Sequence, residues 1–288
     1  MKKNAFQWIA LSLVFALSGC ASMALRFTPS LIPNLTEAFF EECDVELAKR
    51  SLPAALKLME GLLKSDPENK QIQTSLCMGF TGYALLFVED SEPARASELY
   101  LRAKNYGLRA MGGKATILGE AGREKEVLQR ELETFGEEGV KILFWTTMAW
   151  NGWIRLNLDK PIALSQLGIA EACLERVLEL KGDYFYGSPY TMMGSILASK
   201  PGLLGGDPDR ARQYFRKAMA LTGGDFLLVQ YYFARFYAVR IQDKELFEAL
   251  LKEIDSSPPG KIKEVCLINE MMKEKAKKLM QMKEDLFL

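Results

Sequence analysis

The stretch from Leu203 to Ala218 constrains what this chain can fold into more than any other. Gly205-Gly206 breaks whatever precedes it, Asp207 is placed to cap a helix, and Pro208 suits a first helical turn. Ala211, Phe215 and Ala218 then follow at i, i+4 and i+7, on one face. Small, large, small on a single stripe lets a neighbouring helix come close at the alanines and close around the ring.

The stripe recurs. Ala55, Met59 and Leu62 repeat it ahead of Asp66-Pro67, as do Ala96, Tyr100 and Ala103, and more weakly Ala170, Leu174 and Val177. The leading alanines lie 41, 74 and 41 residues apart, against about 34 for a regular tetratricopeptide repeat. First helices of such hairpins fit at Phe80, Tyr83, Ala84 and Phe87, and at Tyr190, Met193, Gly194 and Leu197. The expected fold is all-α: degenerate tetratricopeptide-like hairpins forming an α-solenoid, with an inserted helix and a C-terminal capping helix.

The N-terminus reads as a leader. Lys2-Lys3 precedes an apolar run from Ala5 to Leu17 that is too short to span a bilayer. It ends in Leu17-Ser18-Gly19-Cys20, which looks like a bacterial lipobox, with Cys20 as lipidated first mature residue. A chance cysteine after an ordinary signal peptide is the alternative. The expected organisation is a signal peptide over 1–19, a lipid-anchored tether over 20–33 and one helical domain over 34–288. Ala21 after the cysteine is compatible with sorting to an outer membrane.

Four further cysteines remain, Cys43, Cys77, Cys173 and Cys266, without a CxxC pair. An export compartment permits disulfides, and four cysteines allow three pairings. Cys43 and Cys77 fall among apolar residues of expected helices, which favours isolated buried thiols.

Along the mature chain, Phe39, Phe40, Cys43 and Leu47 mark a first amphipathic helix. Pro53 opens a second, residues 71–88 a third and Pro93 a fourth. Gly79 and Gly82 inside the third suggest close approach by a helix or a ligand. Residues 113–139 interrupt the repeat, and residues 124–135 read as a surface helix. Trp145, Trp150 and Trp153 crowd residues 141–158, so that segment is wrapped by protein or lines a cavity. A helix over 161–180 leads to an aromatic loop over Asp183–Tyr190. A helix over 226–241 and a short one capped by Asp243 follow. The last, over 265–282, has a polar face suited to a terminal cap.

Several chemistries are excluded. Histidine is absent, which removes serine–histidine and cysteine–histidine nucleophiles and histidine-containing zinc sites. Glu41-Glu42 and Glu137-Glu138 read as solvated faces, and Gly205-Gly206 as a helix cap without either phosphate-binding fingerprint. No enzyme activity and no cofactor is expected. Lys plus Arg equals Asp plus Glu at 37 each, so there is no net field to attract nucleic acid. What remains is apolar concavity. Phe80, Tyr83, Trp145, Trp150, Tyr184, Tyr190 and Tyr231 are candidate ligand contacts, with Asn151 and Arg235 to orient a polar end. Each also has a plain reading, as core packing or a structural hydrogen bond.

These residues resemble the lipoprotein T-component (TatT) family of TRAP transporters. The likeness rests on Trp145 to Trp153, on Leu204 to Pro208 with Ala211, Phe215 and Ala218, and on Ala234, Arg235, Tyr237, Ala238 and Val239. It continues through Gln242, Asp243, Glu245, Leu246 and Phe247 to Asn269, Ala276 and Leu279. The resemblance implies a periplasmic, lipid-anchored helical protein with an apolar crevice. It implies association with the transporter's solute-binding protein, handling of a small hydrophobic or organic-acid ligand, and allows a homotrimer. A ligand-free scaffold for envelope assembly, holding a partner helix in its concave face, is the rival reading.

Overall fold

The protein is described by a computed structural model over residues 31–112 and 125–287. The leader, Cys20 and most of the tether lie outside these residues, as does Glu124 of the expected surface helix. Among the described residues all regular structure is helical.

Helix α1 (Leu31–Glu41) begins within the stretch read as tether and buries Ile32. Helix α2 (Val45–Ser65) is capped by Asp44, whose carboxylate accepts from the Leu47 amide. It runs straight through Pro53, so that proline does not open a helix as expected. Nor is Cys43 helical: it sits in the short turn between α1 and α2. The buried stripe of α2 is Leu52, Leu56, Met59 and Leu63, one position round from the one read at Ala55 and Leu62.

Helix α3 (Lys70–Tyr83) continues into a π-helical turn over Ala84–Val88 and pairs with α4 (Pro93–Met111) as the first hairpin. Ala96, Tyr100 and Ala103 are fully buried as expected. Gly79 does receive a neighbour: an added Cβ would lie 2.5 Å from Leu56, whereas Gly82 faces open space. Helix α5 (Lys125–Glu133) packs on α8 through Leu128 and Leu132.

Helix α6 (Val140–Arg155) is the tryptophan helix, buried nearly all round and packed against α3, α4 and α8. It gets that close to α4 because Gly152 has no side chain, and an added Cβ would fall 2.7 Å from the Tyr100 ring. The expected helix over 161–180 divides into a single turn, α7 (Pro161–Leu164), and α8 (Leu167–Lys181), with Ala170, Leu174 and Val177 buried. Before the second hairpin the backbone turns left-handed at Phe185, Tyr186 and Gly187, with φ of 44°, 59° and 78°. This is the aromatic loop, held by rings: Phe185 packs on Trp145 at 5.2 Å and Tyr186 on Phe226 at 5.6 Å. For two non-glycine residues such a backbone costs about 1–2 kcal/mol each.

Helix α9 (Tyr184–Ser199) and α10 (Pro208–Thr222) form the second hairpin. Asp207 caps α10 by accepting from the Arg210 amide, and Ala211, Phe215 and Ala218 are completely buried. Helix α11 (Leu227–Tyr232) again ends in a π-helical turn, over Phe233–Ala238, and α12 (Lys244–Ser256) starts at its Asp243 cap.

Helix α13 (Cys266–Gln281) covers α11 and α12, turning Glu274, Lys277, Lys278 and Gln281 to solvent as a cap should. It also reaches back to α1 and α2, so the last helix meets the first. There Cys43 and Cys266 are joined in a disulfide, 223 residues apart in sequence with Cα atoms at 5.2 Å. This corrects the expectation of isolated thiols for that pair. Cys77 and Cys173 are free and buried, and burial pushes each thiol up to about 12. A single-turn helix, α14 (Lys283–Leu286), closes the chain.

Candidate ligand-binding site

A cavity of about 480 Å³ lies between α6, α8 and α9, closed at one end by residues from the two π-helical turns. That volume falls within the range of small-molecule sites. Its walls are Phe144, Met148, Asn151 and Ile154 from α6, Leu167 from α8 and Met192 and Ile196 from α9. Leu85 and Phe236, one from each π-helical turn, face it as well.

The hollow exists because one face of α9 is made of small residues. Ser188, Thr191, Ser195 and Ser199 line it where a solenoid helix would ordinarily carry large apolar side chains. The protons of three of them do not serve the cavity. Ser188 donates to the Phe185 carbonyl at 2.7 Å, Thr191 to Gly187 at 3.2 Å and Ser195 to Thr191 at 2.8 Å. Each of these three hydroxyls is satisfied by its own helix, so the wall is mild in polarity and offers few donors.

Charge is concentrated in one cluster. Glu89 and Asp90 follow the first π-helical turn, Arg235 lies inside the second, Arg155 ends α6 and Lys275 comes from α13. A π-helical turn places residues off the regular helical register; here it brings side chains from opposite ends of the chain together. Glu89 accepts from Arg155 at 2.5 Å and from the Tyr100 hydroxyl at 2.6 Å. Asp90 pairs with Lys275, and with Arg235 at 3.3 Å. Burial alone would raise both carboxyls. For Glu89 the Arg155 charge and the Arg155 and Tyr100 hydrogen bonds overcome it, and for Asp90 the Lys275 and Arg235 contacts do. Both stay below the ordinary carboxylate range.

The mouth has a different character. Leu158, Leu164 and Leu204 line the cavity yet are about half or more exposed, and the exposed Ile162 and Leu203 lie next to them in sequence. Lys200 and Glu171 form an ion pair at 2.5 Å among these residues.

Of the nine residues singled out as ligand contacts, Asn151 lines this cavity. Its amide donates to the Thr147 carbonyl at 3.0 Å. Tyr231 and Arg235 sit just behind the closed end, where Arg235 donates to the Tyr231 hydroxyl at 2.9 Å. The others pack elsewhere. The Trp145 indole donates to the Tyr184 hydroxyl at 3.2 Å within a ring cluster that includes Phe40, Phe144 and Phe185. Trp150 donates to Gln166 at 2.7 Å, with the Lys104 ammonium 4.9 Å from its ring. Phe80 stacks on Tyr106, Tyr83 leans on Phe87, and Tyr190 stacks on Tyr214.

Reasoning from aromatics missed the residues that shape the hollow. The available signal was the opposite of the one sought: Ser188, Thr191, Ser195 and Ser199, a row of small residues along α9.

Comparison with known proteins places this architecture. The family model of the TRAP transporter T-component matches residues 41–287. The chain belongs to that family. The matched segment takes in α2 through α14 and so every residue of the cavity. An uncharacterized protein of Treponema pallidum (strain Nichols) is 25% identical over 202 residues, which is 63% of this chain and 61% of the relative. The likeness therefore spans somewhat less than two thirds of that protein's length. Within the described part of this T-component no helix is long and apolar enough to cross a membrane. No group of three or more Cys, Asp or Glu there could hold a metal ion.

Proposed function

We propose that this T-component is a lipid-anchored, periplasmic accessory of a TRAP transporter. It takes up a small hydrophobic or organic-acid ligand and works with the transporter's solute-binding protein. The observation that carries the ligand-handling part is the cavity: an apolar hollow of about 480 Å³ kept open by small residues on α9. A scaffold that only gripped a partner helix would gain by filling that space, because an unfilled apolar void weakens the core around it.

Anchoring rests on the lipobox ending in Cys20, and the solute-binding partner on family membership. The test is a cavity-filling variant. Ser195→Phe should abolish calorimetric binding across a panel of aliphatic alcohols and acids. It should leave the helical circular dichroism and co-elution with the solute-binding protein intact. Unchanged binding in that variant would remove the cavity from the function. Metabolic labelling with palmitate, lost on Cys20→Ser, tests the anchor separately.

A further inference from the structure

The closed end of the cavity holds more hydrogen-bonding capacity than the protein uses. Arg155 lines the cavity, and an arginine carries five N–H donors. Among the described residues only Nη2 is engaged, to Glu89. The side chain keeps 31% of its surface open although it lies at the end of an apolar hollow. Tyr232 also lines the cavity, and among the described residues its hydroxyl makes no hydrogen bond. The phenol stays neutral, because burial and then the nearby Glu89 charge push its ionisation above the ordinary range. It therefore remains a donor.

The charge count points the same way. Arg155, Arg235 and Lys275 face two carboxylates, Glu89 and Asp90, which leaves one positive charge in excess at the closed end. At the mouth, Lys200 and Glu171 cancel. Between the two ends the wall is apolar apart from Asn151, the exposed Ser199, and the Ser188, Thr191 and Ser195 hydroxyls, which are engaged with their own helix. The mouth itself is leucine-rimmed, with Leu204 68% exposed.

From this arrangement we infer that the cavity takes a single-headed amphiphile. Its carboxylate seats on Arg155 and Tyr232, and its aliphatic or aryl tail runs between α6, α8 and α9 towards Leu158, Leu164 and Leu204. The inference rests on the ligand-handling reading above and narrows it. A planar carboxylate matches the guanidinium fork. One charge balances the excess, whereas a second carboxylate would have to lie against apolar wall, where an unpaired charge is heavily penalised. A neutral amphiphile would leave the Arg155 donors unused. At about 30 Å³ per non-hydrogen atom the hollow accommodates on the order of 16 such atoms, a medium-length chain.

The experiment is calorimetry on the whole protein with decanoate, decanol and hexanedioate. Decanoate should bind at least tenfold more tightly than decanol, and hexanedioate should not bind. Tyr232→Phe removes a hydroxyl that serves no protein partner. It should weaken decanoate several-fold while leaving decanol affinity and the melting temperature unchanged. Arg155→Lys keeps a cation beside Glu89 and should likewise weaken decanoate alone. Equal affinity for decanoate and decanol, or tight binding of hexanedioate, would overturn the head-group assignment while leaving a ligand cavity in place. So would a Tyr232→Phe variant that binds decanoate like the parent. Failure of both ten-carbon ligands to bind would overturn the cavity reading as well.

Discussion

Cutting the bond between Cys43 and Cys266 should expose how strongly this fold depends on its two ends meeting. The bridge closes a loop spanning a sequence separation of 223 residues. Chain-entropy arithmetic for a loop of that length gives about 5 kcal/mol at room temperature. Measured disulfides usually return less than this, so about 3–5 kcal/mol is expected. Helices α1, α2 and α13 also touch without the bond, so the reduced protein should still fold. The assay is urea unfolding followed by circular dichroism, with and without reductant, beside a Cys43→Ser, Cys266→Ser double variant. Reduction should lower the midpoint and steepen the slope, because the freed unfolded chain exposes more surface. The melting temperature should fall on the order of 10 °C. In a chain carrying Cys20→Ser, thiol titration in denaturant without reductant should find only Cys77 and Cys173. Coincident oxidised and reduced transitions, or four titratable thiols, would refute the argument.

The remaining predictions concern the site and its supports. Arg155→Met should cost about 3 kcal/mol, the low end for breaking a buried pair because the guanidinium is partly open, and adding Glu89→Gln should recover part of that loss in a denaturant double-mutant cycle. Glu89 and Asp90 are held below their ordinary values, so their stabilisation is full above about pH 4.5 and is lost as pH falls towards their folded values. Acid unfolding of Glu89→Gln should therefore show a shallower pH dependence than the parent. Gly152→Ala should destabilise by about 1–3 kcal/mol through contact with the Tyr100 ring, whereas Gly82→Ala, which meets open space, should stabilise by about 0.5–1 kcal/mol in thermal melts. Cys77 and Cys173 should resist alkylation in the native protein at neutral pH and react fully on unfolding, read by mass spectrometry.

The hairpins were legible because their signal is local. Asp207, Pro208, Ala211, Phe215 and Ala218 specify a capped helix and its packing face within one short stretch, and the structure buries the three stripe residues completely. The second and third copies of the stripe, at Ala96 and Ala170, followed the same logic. The first did not: α2 starts at its Asp44 cap well before Pro53, and the face it buries, Leu52, Leu56, Met59 and Leu63, is one residue round from the stripe read there.

The site was less legible, for two physical reasons. A cavity is defined by what is missing, and search by bulky aromatics finds the packed core instead. Trp145, Trp150 and Tyr184 satisfy one another and Gln166 rather than facing the hollow. The cluster of Glu89, Asp90, Arg155, Arg235 and Lys275 joins residues up to 185 apart in sequence. Two π-helical turns deliver three of these charges, and no periodicity read at 3.6 residues per turn reveals such a turn. The disulfide escaped for a similar reason, since only closure of the last helix on the first brings Cys43 and Cys266 together.

Whether a small amphiphile occupies the hollow between α6 and α9 decides the account. Crystals grown with 10-bromodecanoate and measured at the bromine absorption edge would settle it. One anomalous peak should lie inside the cavity near Leu158, Leu164 and Leu204, with the carboxylate density at Arg155 and Tyr232. An empty hollow at saturating ligand, or bromine found only on the outer surface, would contradict it.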